Sequence, residues 1–340
     1  MTQGANLSGV LAWTSGRRLL VQSSGEIDRV TATTGKIDPI DSGSLPLFPL
    51  SPDHSQVAYA VFNPVPSLRV VRGAGGSWRE VTSYPGDGAS ILQLVWRRDG
   101  ARIAYSNDYA GGEVAWVEAS GGEPHVAIPA DGSTIRWVLG YLTDGTILVH
   151  ETDRGGHNGR VLRVTEDGAI TPIALDANQA AASANAETIA YASGQTIYAV
   201  SSAGGTPVPI VTVEGETYYL KLSPDGSKVA VSSTDFDTGE VFTHLAKTDG
   251  SGSVQLPYPA RGAFDWSPNS KKLVFAGRNP ANGGELGLAT ITWRAASLRA
   301  LPDTPCIGPS FSTDAKRIAC IKHEGDDIHG HDELAVIRIA

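Results

Sequence analysis

Short apolar runs alternate with polar, turn-forming clusters along the whole chain, and no stretch sustains a helical period. The clearest copy runs from Tyr219 to Ser232. Two runs rich in Leu and Val flank Ser223-Pro224-Asp225-Gly226. Pro224 presets φ for the second turn position, Asp225 suits the third, and Gly226 accepts the left-handed residue that follows. The flanks are too short for a helix, so the pattern predicts a β-hairpin.

Variants of this hairpin recur. The turn Asp or its equivalent falls at Asp53, Asp99, Asp144, Asn185, Asp225, Asn269 and Asp314, in steps of 46, 45, 41, 40, 44 and 45 residues. A degenerate copy, Trp13-Thr14-Ser15-Gly16, precedes them. After each hairpin come a polar loop and a third strand, predicted at 27–31, 68–71, 114–117, 161–164, 197–200, 241–246, 286–291 and 334–339. A short fourth segment closes most copies. Pro39, Pro124, Pro172, Pro207 and Pro209 sit in or beside these segments, and proline, which cannot donate to a ladder, marks an edge strand. The Ala-rich stretch 176–185 has helical composition, but its register makes it an inner strand. A period in the low forties with four short strands predicts an all-β β-propeller, one domain over residues 1–340. The count is eight four-stranded blades, or seven if residues 2–13 are used to close the ring.

Leu222-Ser223-Pro224-Asp225-Gly226-Ser227-Lys228-Val229-Ala230 and Trp266-Ser267-Pro268-Asn269-Ser270-Lys271-Lys272-Leu273-Val274-Phe275 resemble the WD40-like (PD40) repeat of TolB-type propellers. Similar repeats occur in the propellers of prolyl-oligopeptidase-type peptidases and in oligogalacturonate lyases. The resemblance spans essentially the whole chain and implies a fold more than a function. The Gly-His and Trp-Asp pairs of true WD40 repeats are not present.

The net charge of −9 argues against a nucleic-acid or anionic-membrane partner, which would need a basic stripe. No apolar run is long enough to insert in a membrane. Residues 1–6 show no signal peptide; the expected compartment is the cytoplasm, or the periplasm or exterior for a trimmed mature domain. The two cysteines, Cys306 and Cys320, flank the last hairpin, and both a disulfide and a pair of buried thiols fit that placement.

In a propeller, the loops after second strands share one face with the links between repeats and ring the channel mouth. Here several are longer than a corner needs. They supply Asn107, Asp108, Asp153, Arg154, His157, Asp235, Asp237 and Arg278 as candidate ligand-binding residues. Arg154 and Arg278 suit a carboxylate or a sugar. The segment 235–240 lacks the spacing of an EF-hand and reads as a turn. The segment 322–332 is rich in His and carboxylates, and His323, Asp327, His329 and His331 are candidate ligands for a divalent metal. Oligogalacturonate lyases use a His-lined metal site in the propeller channel; the resemblance implies such a site without a residue-by-residue match. No Gly-x-Ser-x-Gly elbow or phosphate-cradling Gly loop occurs. Trp13, Trp96, Trp137 and Trp266 fall on strands and read as packing between blades rather than as a stacking platform.

The expected function is therefore a monomeric, non-catalytic binding module for a small molecule, saccharide or protein. The alternative is a metal-assisted lyase or hydrolase acting on a saccharide or small metabolite at the same face.

Overall fold

The computed structural model describes residues 7–15, 17–23, 26–42, 49–62, 65–83, 91–108, 111–256, 259–260, 264–278, 285–292, 297–300, 307–324 and 331–339. For residues 7–11, 23, 277–278, 285–292, 297–300, 307, 323–324 and 331–332 the description is of the backbone only. Every regular element described is a β-strand, including Gln179–Ala182 in the Ala-rich stretch. The strands form eight antiparallel meanders, six of four strands and two of three.

The innermost strands of successive sheets touch around a ring that Leu7–Ser15 closes against Ile307–Phe311. This is the all-β propeller that the repeat predicts. Leu7–Ser15 pairs with Arg18–Ser23, so it is the inner strand of the first sheet. In the second sheet (Gln56–Val61, Ser67–Arg72, Arg79–Ser83) only the bridge between Leu50 and Val57 stands in the inner position. Pro39, Pro172 and Pro209 lie on outermost strands, where no ladder donor is needed.

The repeated turn is a small polar knot. In all seven copies from residue 51 onward, the fourth residue's amide donates to the first residue's carbonyl, at 2.7–3.2 Å. In five copies a serine opens the turn: Ser51, Ser183, Ser223, Ser267 and Ser312 donate to the Asp or Asn two residues on, at 2.5–2.8 Å. The same hydroxyls accept the amide five residues on, which locks the hairpin. These serines are buried, so pairing their hydroxyls avoids a desolvation cost of about 1–3 kcal/mol each.

Tryptophans join neighbouring sheets. Trp96 and Trp266 end inner strands and Trp13 lies near the end of one, and each indole N–H reaches back to a carbonyl on or beside the preceding sheet. The acceptors are Pro49 at 3.0 Å, Lys221 at 3.0 Å and, across the ring closure, Ser310 at 3.2 Å. These three side chains are at most 7% exposed, which fits packing between sheets. Cys320 is fully buried and disulfide-bonded, which favours the disulfide reading over buried thiols. The other cysteine, Cys306, lies outside the described residues.

Candidate functional site: a cleft over the fifth sheet

The fifth sheet has a two-residue turn on the loop-rich face, as short as the one between Ser23 and Glu26 on the first sheet. Ser193 pairs with Thr196, leaving only Gly194-Gln195 between its second and third strands. On either side, the fourth and sixth sheets carry longer loops at 154–159 and 235–240. The short turn becomes a floor and the long loops become walls. Between them lies a cleft of about 800 Å³, lined among others by His157, Gln195, Glu216, Thr217, Asp235 and Phe236.

The cleft continues toward the ring axis. A second hollow of about 500 Å³ shares Gly156, Asn178 and Gln179 with the first. Its walls are inner strands, carrying Gln93, Trp137 and Tyr219. Ala180, Ala181 and Ala182 line it too, and their small side chains leave it open.

Two close approaches hold the walls. A Cβ on Gly159 would lie 1.9 Å from the Ala177 carbonyl oxygen. One on Gly215, where φ is +70°, would lie 2.2 Å from the Thr234 oxygen. Only glycine lets these links pass beneath the loops. Below the 154–159 loop, buried Arg136 binds Glu151 at 2.9 Å, Asp131 at 2.6 Å and the Gly112 carbonyl at 2.7 Å.

The inner hollow is close to neutral. Among the described residues its only ionisable wall residues are His150 and Tyr219. His150 Nε2 lies 2.7 Å from the Ala177 carbonyl, and its ring stacks on Trp137 at 5.4 Å. Burial pushes its imidazole below the ordinary value, against the pull of that carbonyl and of Glu151. The outer rim is acidic, with Glu216, Asp235 and Asp237 beside His157, and among the described residues neither cleft is lined by Lys or Arg. Thr152 Oγ1 and Thr217 Oγ1 are buried and have no hydrogen-bond partner among the described residues. Each belongs to a lining residue, Thr152 of the inner hollow and Thr217 of the outer cleft.

The residues expected from sequence fall into separate groups. His157, Asp235 and Asp237 share the cleft wall. Asp153 spends its carboxylate on its own loop, accepting from the Gly155 and His157 amides at 2.9 and 2.8 Å and from the Asn158 side chain at 2.8 Å. Asp235 likewise accepts the Asp237 amide at 2.9 Å. Asp108 and Arg154 pair at 3.1 Å across two sheets, and Asn107 is the buried last residue of its strand. Arg278 ends the strand Lys272–Arg278 on the seventh sheet, outside both clefts' described lining.

Asp327 and His329 lie outside the described residues. For His323 and His331 the backbone register pairs His323 with Asp332 and Glu324 with His331. The hairpin strands thus extend to Glu324 and from His331, into the stretch expected to be loop. Among the described residues no group of three or more His, Cys, Asp or Glu could hold a metal ion.

Sequence reasoning missed Thr152, Asn178, Gln179, Thr217 and Phe236. It also grouped Trp137 with the packing tryptophans, whereas Trp137 lines the inner hollow. The available signal was a two-residue turn lying between two longer loops, which leaves a gap.

No family model and no curated protein matches the chain. Solved structures do. An oligogalacturonate lyase from Vibrio parahaemolyticus superposes with a TM-score of 0.61 at 13% identity, over 99% of this chain and 91% of that one. An oligogalacturonate lyase in complex with manganese gives 0.57 at 13% identity, over 100% and 97%. A prolyl endopeptidase gives 0.63 at 12% identity, over 98% of this chain but 54% of its own. At such identities these likenesses define the class, a β-propeller, and nothing finer. TolB from Acinetobacter baumannii also aligns, at 16% identity over 74% of this chain and 62% of that one, but its TM-score of 0.46 is too low to carry an argument.

Proposed function

We propose that this chain is a non-catalytic, TolB-like propeller, one eight-bladed domain over residues 1–340. It acts as a monomer and binds a neutral, hydroxyl-rich ligand of the saccharide class in the cleft above the fifth sheet. The observation that supports this most is the neutral, amide- and aromatic-rich lining, to which Thr152 and Thr217, whose buried Oγ1 atoms have no partner among the described residues, also belong. Such groups cost about 1–3 kcal/mol each unless something bonds to them. A ligand with its own hydroxyls supplies both donors and acceptors. Asn178, Gln179, Gln195 and Gln93 offer further paired donors and acceptors. Trp137, Tyr219 and Phe236 offer flat apolar faces, and Phe236 is 72% exposed. A few polar groups on partly aromatic walls are the usual make-up of a small-ligand site.

The charge pattern separates this ligand from a polyuronate. With Glu216, Asp235 and Asp237 at the rim and no Lys or Arg in the described lining, a polyanion would meet like charge. The eight-blade reading rests on the eight described sheets; seven blades, with residues 2–13 closing the ring, is the alternative. The TolB-like assignment rests on the Ser-Pro-Asp-Gly-type turns.

Thermal melts against a panel of neutral oligosaccharides and galacturonate oligomers, each with and without EDTA, test the reading. A neutral glycan should raise the melting temperature regardless of EDTA, and Thr152→Val should reduce that rise. Stabilisation by galacturonate oligomers alone, lost with EDTA, would instead favour the metal-assisted lyase reading built on His323, Asp327, His329 and His331.

A further inference from the structure

A second pocket lies away from the loop-rich face, at the outer part of the second sheet. It measures about 410 Å³ and is lined by Gln56, Arg72, Ser77, Trp78 and Arg79, among others. Register places three of its polar residues on one side of the sheet. Gln56 pairs with Arg72, and Val70 pairs with Arg79. Val70 packs with residues of the third sheet, so Gln56, Arg72 and Arg79 share the side that faces that sheet.

The pocket has charge without counter-charge. Arg72's guanidinium makes no hydrogen bond or ion pair with any described residue. Arg79 donates to the Ala119 carbonyl and meets no described carboxylate. Burial lowers the Arg79 pKa, and the Arg72 charge lowers it further, so the two cations oppose each other.

Two more arginines converge from the first sheet. Arg29 donates to the Arg72 carbonyl at 3.1 Å, and Arg18 donates to the Ala74 carbonyl. They pin the turn through its backbone. On that side Asp38 pairs with Lys36 at 2.8 Å and also interacts with Arg29 and Arg18. In a chain of net charge −9, the pair Arg72 and Arg79 is a local reversal of sign.

We propose that this pocket is a binding site for an oxyanion group, phosphate or carboxylate, of a small molecule, with Arg72 and Arg79 as its principal donors. Guanidinium presents parallel N–H groups that match two oxygens of either group. Gln56 and Ser77 add neutral donors at the wall. The site is independent of the cleft over the fifth sheet.

Titration with inorganic phosphate, and separately with citrate, at ionic strength held constant with chloride tests the proposal. Intrinsic fluorescence serves as readout because Trp78 lines the pocket. Saturable binding of at least one anion is expected, and which of them binds tells phosphate from carboxylate. Arg72→Gln should weaken it about tenfold or more while leaving the melting temperature unchanged, since that side chain holds nothing. Arg79→Gln should weaken binding similarly at some cost in stability, because its bond to Ala119 is lost. Absence of saturation with both anions, or equal binding by the Arg72→Gln protein, would overturn the proposal.

Discussion

Asp225 shows how one residue type sets both the shape of the repeat and its response to acid. Burial pulls its carboxyl upward, but the Ser227 amide and the Ser223 and Ser227 hydroxyls outweigh that and hold it at about 2. Asp53 is also held at about 2, first by the Ser51 hydroxyl and then by the Ser55 amide and hydroxyl. An unfolded Asp titrates near about 3.9. With the folded value depressed, the stabilisation is present above that pH and is lost as pH falls from about 4 through about 2. The melting temperature should therefore drop across that interval. Asn185 and Asn269 make the same serine bond without a charge. The double variant Asp53→Asn, Asp225→Asn should thus lose less stability over the interval; a calorimetric pH series with the native slope would contradict this. The fourth turn position offers another test. Ala315 holds φ at +55°, a conformation that costs an L-residue about 1–2 kcal/mol. Ala315→Gly should stabilise by about 0.5 kcal/mol after the added chain entropy of glycine is deducted, as read by urea denaturation.

Hairpins and third strands were legible in the sequence because each repeats its own local chemistry. The expected strand 114–117, for example, is the middle of Glu113–Glu118. The cleft was less legible. Charged residues in long loops drew attention, yet Asp153 and Asp235 are used in shaping their own loops. The walls come instead from neutral residues such as Asn178 and Thr217, whose roles depend on which sheets stand side by side. What the sequence did hold was the contrast in turn length around Gly194. The link at Gly215 carries a prediction at this scale. Gly215→Ala should force the Thr234–Asp235 backbone away and cost about 1–3 kcal/mol, the usual range for overpacking. Glycan-dependent stabilisation should fall with it; a variant with native stability in urea would show that the close approach is not maintained.

At the scale of the whole ring, closure depends on side-chain packing between the first and last sheets. Trp13 is 2% exposed and bonds Ser310 across that seam. Trp96 and Trp266 do the same at internal seams. If the seam is an ordinary junction, Trp13→Ala should cost about 3–5 kcal/mol, as should Trp266→Ala, because each removes a large buried ring. Trp13→Phe keeps most of the packing and removes the N–H, so it should cost nearer 1 kcal/mol. Urea unfolding of the three variants compares the seams. A much smaller loss at Trp13 than at Trp266 would mean that the first and last sheets are weakly joined.

The central claim is that the short Gly194-Gln195 turn makes the binding site by leaving a gap between longer loops. The most direct measurement is calorimetric titration of the best-binding neutral oligosaccharide into the native chain and into a variant with a short Gly/Ser insertion between Gly194 and Gln195. The insertion fills the cleft floor at a surface turn and should leave the melting temperature nearly unchanged. The account predicts that affinity falls about tenfold or more. Native affinity in a folded insertion variant would contradict it and place the ligand elsewhere on the propeller.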